Sequence, residues 1–93
     1  MFKNGMRPVH PGEILKEEYL EPLGLTAAAL ARALHVCAPT VNDIVLRRRS
    51  ISADVALRLA AALETSAQFW LNLQTAYDLR TAEIARGLRY SRK

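Results

Sequence analysis

Three consecutive arginines at residues 47–49 follow a short segment that carries Thr40, Asn42 and Asp43. Asparagine can pair with N6 and N7 of adenine, and an arginine guanidinium can pair with O6 and N7 of guanine or with a phosphate. Such side chains on the outer side of a short helix are typical of direct readout in the major groove of DNA. We therefore predict base contacts from Thr40 and Asn42, and a guanine or phosphate contact from Arg47.

The neighbouring side chains leave more than one interpretation open. Asp43 could accept a hydrogen bond from N4 of cytosine, but an ion pair with Arg47 one turn later is favoured. Arg48 and Arg49 could contact the phosphate backbone, or they could only compensate the negative end of the helix. Ala38 would offer no more than a contact with a thymine methyl group.

Two short amphipathic helices are predicted to position these residues. Thr26 is a good N-cap for the first, and the first N–H groups of that helix could also hold a phosphate. The apolar residues follow helical spacing in both: Ala27, Leu30, Ala31 and Leu34, then Val41, Ile44 and Val45. The three residues 35–37 join them, and the small side chain of Ala31 allows a close crossing. Residues 26–47 therefore predict a helix-turn-helix.

Three further helices are indicated by their end signals. Pro11 suits the first position of an N-terminal helix, and Pro22 predicts that this helix ends near Leu20. Ser52 and Ser66 are good N-caps for two more helices. With no alternating strand pattern, the sequence predicts an all-α fold of five helices.

These helices are predicted to form one domain that covers residues 1–93. Residues 1–9 precede the first predicted helix and are expected to be a flexible arm. The last helix is expected to cover about residues 67–86, with Gly87 near its end.

Composition and charge agree with a nucleic-acid partner. Hydrophobic residues make up 51% of the chain and charged residues 24%, as in ordinary globular proteins. The net charge of +4 is uneven, because the ten basic residues after residue 25 outnumber five acidic ones there. Ten of the thirteen cations are arginines, whose planar fork suits phosphate.

Other classes of protein find little support. No apolar run is long enough to span a bilayer, and the first residues lack the apolar region of a secretory signal. A single cysteine, Cys37, suits a reducing cytoplasm. Neither His10 nor His35 has an acidic partner at a spacing typical of a general base, and no zinc set or glycine-rich phosphate loop is present. We therefore predict no catalytic residue, metal or cofactor.

Five segments of the chain resemble the HigA antitoxins, which are part of the wider Xre/Cro group. They are HPGEIL at residues 10–15, LGL at 23–25, RSIS at 49–52, ALRLAAAL at 56–63 and FWLNLQ at 69–74. The resemblance implies a lambda-repressor-like helix-turn-helix domain. It also implies a homodimer that binds a palindromic double-stranded operator, represses its own genes and silences a HigB-like endoribonuclease toxin.

The chain departs from that family at three positions of the motif. His35 stands where glycine is usual, and Cys37 stands at an N-cap that is often serine. Leu46 and Arg47 replace a frequent Asn-Gly pair. Because a thiol is a poor acceptor, we expect a recognition helix that is capped more weakly than usual.

Two further surfaces are predicted for protein partners. Glu13, Glu17 and Glu21 recur every four residues, with Glu18 nearby, and could form an acidic stripe for a basic toxin or simply a solvated face. On the last helix, apolar residues at helical spacing could belong to the core or to a dimer seam. The seam residues would be Trp70, Leu73, Tyr77 and Ile84.

Two alternatives to an antitoxin remain at this point. A stand-alone phage-type repressor would bind DNA in the same way but would have no toxin partner. A bundle that only binds other proteins would show no salt-sensitive binding to DNA.

Overall fold

The computed structural model describes residues 7–87, and in that range the chain forms five helices and no strand. Helix α1 is continuous through three segments, Pro11–Ile14, a π-helical turn Leu15–Leu20, and Glu21–Leu23. The other four are α2 (Ala27–Leu34), α3 (Ala38–Val45), α4 (Ala53–Leu63) and α5 (Ala67–Ala85). The predicted all-α fold and its helix-turn-helix at α2 and α3 are confirmed.

Side-chain caps begin four of the five helices. Thr26, Ser52 and Ser66 accept from the backbone N–H groups of Ala29, Val55 and Phe69, as predicted. His10, which the sequence did not identify as a cap, accepts through Nδ1 from the N–H of Gly12 at 2.9 Å. These bonds satisfy N–H groups that a helix leaves without partners and so fix where each helix begins.

The predicted end of α1 near Leu20 is wrong, because the helix continues through Pro22 to Leu23. The N–H of Glu21 bonds to the carbonyl of Lys16, five residues earlier, in a turn that is wider than an α-helical one. A proline ring clashes with the carbonyl four residues before it in a regular α-helix, and the wider turn relieves that crowding. Gly24, at φ 67°, then ends the helix.

The core contains buried side chains from all five helices, and Trp70 of α5 is fully buried in it. Leu15, Leu30, Ile44 and Leu59 from the four other helices are each no more than 1% exposed. The indole Nε1 of Trp70 donates to Thr65 Oγ1 at 2.7 Å. Trp70 therefore belongs to the core of its own protomer, and its assignment to a dimer seam is wrong.

Helix α1 lies directly against the recognition helix α3. Its Gly12 is so close that an added Cβ would stand 1.8 Å from the carbonyl oxygen of Ile44. On another side of the core, α5 packs along α4 and also contacts α1. The second half of α5 is mostly exposed, which fits the elongated extents of 45 × 22 × 22 Å.

Candidate nucleic-acid interface

The recognition helix α3 is fixed by its apolar side and leaves a polar side exposed. Val41 and Ile44 are 0% and 1% exposed and hold the helix on the core. Asn42 is exposed and Asp43 is half-buried on the other side. Thr40 was predicted to face outward, but it is only 8% exposed, and its Oγ1 lies 3.5 Å from Cys37 Sγ. Asn42 is therefore the better placed of the two for a base contact.

The joint between α2 and α3 contains a residue in the left-handed conformation. His35 has φ 60° and ψ 42°, the left-handed region that glycine enters most easily. Its N–H bonds to Arg32 O and the next N–H, of Val36, bonds to Ala31 O. Arg58 of α4 donates to the carbonyl of Leu34 at 2.8 Å. The end of α2 is thus anchored despite the strained residue.

The N-cap of α3 has no side-chain cap hydrogen bond, which supports the prediction of a weak cap. Cys37 makes no side-chain hydrogen bond to a backbone N–H of the helix. Its Sγ lies 3.5 Å from Thr40 Oγ1, and this hydrogen bond is the main reason that the pKa of the exposed Cys37 thiol lies below its usual value. The first turn of the recognition helix therefore lacks the acceptor that Thr26, Ser52 and Ser66 supply elsewhere.

Replacing Cys37 with serine should stabilise the protein. A serine Oγ can accept from the first turn of α3, and such a cap adds about 0.5–1 kcal/mol to the free energy of unfolding. For a domain of this size, that corresponds to a rise in melting temperature of about 2–8 °C. Cys37→Ala removes the thiol without supplying an acceptor and is the matched control. A Cys37→Ser melting temperature at or below that of Cys37→Ala would refute the weak cap.

The arginine loop, residues 47–49, leaves α3 through a second strained residue. Arg47 has φ 64°, and Arg48 donates its N–H to Asp43 O at 2.8 Å. All three arginine side chains are exposed. At the far end of the loop, the N–H of Ile51 bonds to Oε1 of the buried Gln74 at 2.8 Å. The loop is therefore held at both ends while its guanidinium groups face solvent.

The ion pairs of this loop differ from the predicted ones. Asp43 pairs with Arg48 at 3.9 Å and with Arg49 at 3.7 Å, and not with Arg47. The left-handed conformation of Arg47 turns its side chain toward α1, where Nη1 lies 3.9 Å from Glu13 Oε1. Asp43 thus lies near the two loop arginines that were expected to contact phosphate, beyond hydrogen-bonding distance of either.

Glu13 is not part of an open acidic stripe. Its side chain is 13% exposed and pairs with Arg7 as well as with Arg47. Arg7 belongs to the segment that was predicted to be a flexible arm and contacts α1 through Glu13; residues 1–6 lie outside the described residues. Glu17, Glu18 and Glu21 are exposed, with Glu21 paired to Lys16 at 3.0 Å.

Thr26 and Ala38 are both exposed at helix N-termini, where a backbone contact to a phosphate is geometrically open. The described part of the chain has no group of three His, Cys, Asp or Glu residues that could hold a metal ion. Nor does any helix in it have the length and apolarity needed to cross a membrane.

Buried His10 joins α1 and α5. It is 3% exposed, and its ring packs edge-on against Tyr77 with centroids 4.8 Å apart. Burial lowers the pKa of His10 below its usual 6.5, and the positive charge of Arg47 lowers it further, against weaker opposing effects of Asp78 and Glu13. The neutral imidazole is therefore the form that the fold requires, since only a neutral Nδ1 can accept from Gly12.

Acid should destabilise the protein through His10. The unfolded chain takes up a proton near pH 6.5 before the folded one does, so protonation favours unfolding as the pH falls from about 7 to about 5. Urea unfolding across that range should show a falling midpoint. His10→Asn keeps a capping acceptor without titrating and should flatten this part of the profile. An equally steep profile in His10→Asn would exclude His10 as the cause.

Sequence and structure comparisons place this geometry in a known group. Residues 16–70 match the helix-turn-helix family. Antitoxin HigA-1 of Vibrio cholerae is 48% identical over 79 residues, which cover 85% of this chain and 74% of that protein. This chain belongs to the HigA-type helix-turn-helix antitoxins.

Two solved structures are similar to this HigA-type chain over nearly its whole length. The Pseudomonas aeruginosa antitoxin HigA, solved with the higBA promoter, is 56% identical with a TM-score of 0.86, over 94% of this chain and 95% of that one. Antitoxin GraA in complex with its operator is 60% identical with a TM-score of 0.85, over 97% of this chain and 91% of that one. The family is one of DNA-binding regulators rather than of enzymes.

Proposed function

We propose that this protein is the antitoxin of a type II toxin–antitoxin module. It represses its own operator as a dimer and neutralises a HigB-like endoribonuclease. The main support is the combination of operator-bound relatives of 56% and 60% identity with an exposed polar side of α3 beside three exposed arginines. The protein acts in the cytoplasm, where it binds DNA and a protein partner.

On the DNA, Asn42 is the base-reading residue and Arg47 contacts a guanine or a phosphate. Arg48 and Arg49, which lie near Asp43, contact the phosphate backbone together with the N-termini of α2 and α3 at Thr26 and Ala38. Two protomers would place their recognition helices about 34 Å apart, one turn of DNA.

The dimer seam lies on one side of α5 from Leu73 onward. Leu73 and Tyr77 are half-buried, while Leu79 and Ile84 are 60% and 45% exposed. Apolar side chains of this size gain from burial against a partner. Trp70 is in the core and is not part of the seam. Leu79 is exposed but stands five residues before Ile84, so it lies on another side of the helix.

The toxin would approach the acidic side of α1. Glu17, Glu18 and Glu21 remain exposed there, whereas Glu13 is already paired with arginines. A ribonuclease that holds RNA is expected to be basic, and an exposed acidic surface would steer its approach.

Co-expression with the product of the neighbouring reading frame tests this proposal. The antitoxin should restore growth that the neighbouring protein arrests and should be pulled down with it. Combined Glu18→Lys and Glu21→Lys changes, which lie outside the contacts of the arginine loop, should weaken the pull-down at least tenfold and spare operator binding. Operator binding without any growth rescue would instead indicate a stand-alone repressor.

A further inference from the structure

Glu13 lies between two arginines from different parts of the chain. Arg7, which precedes α1, donates from Nη1 to Oε1 at 3.0 Å and from Nη2 to Oε2 at 2.5 Å. Arg47, which follows α3, has Nη1 3.9 Å from the same Oε1. One carboxylate is thus shared by an arginine outside the helix-turn-helix and by the arginine of the DNA-facing loop.

The two arginines do not share Glu13 equally. Arg7 takes both carboxylate oxygens in a bidentate pair, the strongest geometry that a guanidinium and a carboxylate can adopt. Arg47 stays beyond hydrogen-bonding distance, and its side chain is 59% exposed. Glu13 therefore holds Arg47 nearby but does not bind it.

We propose that Arg7 is a positioning residue for DNA binding: by occupying Glu13 it keeps the guanidinium of Arg47 available to the operator. The inference rests on the proposed function, because it needs Arg47 to contact DNA. Arg7 acts through Glu13 and need not touch the DNA itself.

Loss of Arg7 would change the surroundings of Arg47 in two ways. Glu13 would be left with Arg47 as its remaining close cation, so that a DNA phosphate or base would have to compete with the carboxylate. The carboxylate would also place an uncompensated negative charge beside the DNA backbone and repel it. Both effects weaken DNA binding, and both disappear when Glu13 is made neutral.

A double-mutant cycle tests this dependence. Operator affinity is measured by fluorescence anisotropy for the wild type, Arg7→Ala, Glu13→Gln and the double variant. Arg7→Ala should weaken binding about three- to tenfold in the dimer, a range expected for exposed ion pairs counted once per protomer. In the Glu13→Gln background, Arg7→Ala should change affinity less than twofold. The difference between backgrounds should shrink as salt is raised.

Two controls separate a positioning role from a general effect of charge or of folding. Lys16→Ala removes one cation from α1, the helix that carries Glu13, and leaves the Arg7–Glu13 pair intact. It should change operator affinity less than twofold. Arg7→Lys keeps the charge and should recover part of the loss. Melting temperatures are recorded for every variant, so that a loss of affinity is read only at temperatures where all are folded.

Three outcomes overturn the inference. The first is an equal loss of affinity on Arg7→Ala in both backgrounds, which would mean that Arg7 contacts DNA directly. The second is an Arg7→Ala protein with the affinity of the wild type, and the third is a Lys16→Ala protein that matches its loss. A wild-type protein that binds no operator would instead refute the proposed function, which is a different result.

Discussion

The Arg47→Gly variant should unfold at a higher temperature than the wild type and bind operator at least tenfold more weakly. Arg47 has φ 64°, a region that costs an L-residue about 1 kcal/mol or more and that glycine enters freely. The greater freedom of glycine in the unfolded chain offsets part of that gain, and the contact with Glu13 is long, at 3.9 Å. A rise of a few degrees in melting temperature is therefore expected.

The affinity loss in Arg47→Gly has a separate cause. A guanidinium that contacts guanine or phosphate contributes about 1–3 kcal/mol, and a dimer would lose two of them. Arg48→Gly is the matched control, because it removes the same charge from a residue that is not at positive φ. It should weaken binding without raising the melting temperature. A less stable Arg47→Gly protein, or one with unchanged affinity, would contradict this view of the loop.

Gly12→Ala should destabilise the protein strongly. The new Cβ would lie 1.8 Å from Ile44 O and 2.7 Å from Ile44 C, both backbone atoms of the recognition helix. Since neither can move alone, α1 must separate from α3. We expect a loss of at least about 3 kcal/mol in the free energy of unfolding, at the upper end of overpacking effects. Chemical unfolding measures this directly.

Gly24→Ala is the control for this prediction. Gly24 has φ 67°, but nothing lies within 4 Å of an added Cβ there, so only backbone strain opposes the change. A cost of about 1 kcal/mol is expected. If the two variants were equally stable, the close contact between α1 and α3 would not have the structural role that we give it.

Much of the fold could be predicted because its signals are local. Thr26, Ser52 and Ser66 cap the helices where the sequence placed them, and Val41 and Ile44 face the core as their spacing indicated. A cap involves neighbouring residues, and helical periodicity needs only one segment, so neither depends on how the helices are arranged.

The errors arose from a local distortion of α1 and from contacts between residues that are distant in the chain. Proline at position 22 is accommodated by a π-helical turn that no short motif announces. The carboxylates of Asp43 and Glu13 have several arginines within reach, and the left-handed backbone at Arg47 determines which of them each one meets.

Two roles of individual polar residues could not be predicted from the sequence around them. The sequence missed His10 as a cap because histidine is not one of the usual N-cap residues. It missed Gln74 as a partner of Ile51 because the two residues are far apart in the chain. The sequence did offer one signal for this role, because Gln74 is a polar residue in the largely apolar segment FWLNLQ. A polar residue among apolar neighbours on a helix often satisfies a backbone group of another element.

A salt titration of operator binding tests the central claim, that the exposed side of α3 and the arginine loop bind DNA, most directly. The probe is a labelled duplex from the region upstream of the gene, compared with a scrambled duplex of the same composition. With about six phosphates neutralised, log affinity should fall with log salt at a slope of about −5, and the operator should be preferred. A flat salt dependence, or equal affinity for both duplexes, would contradict the claim.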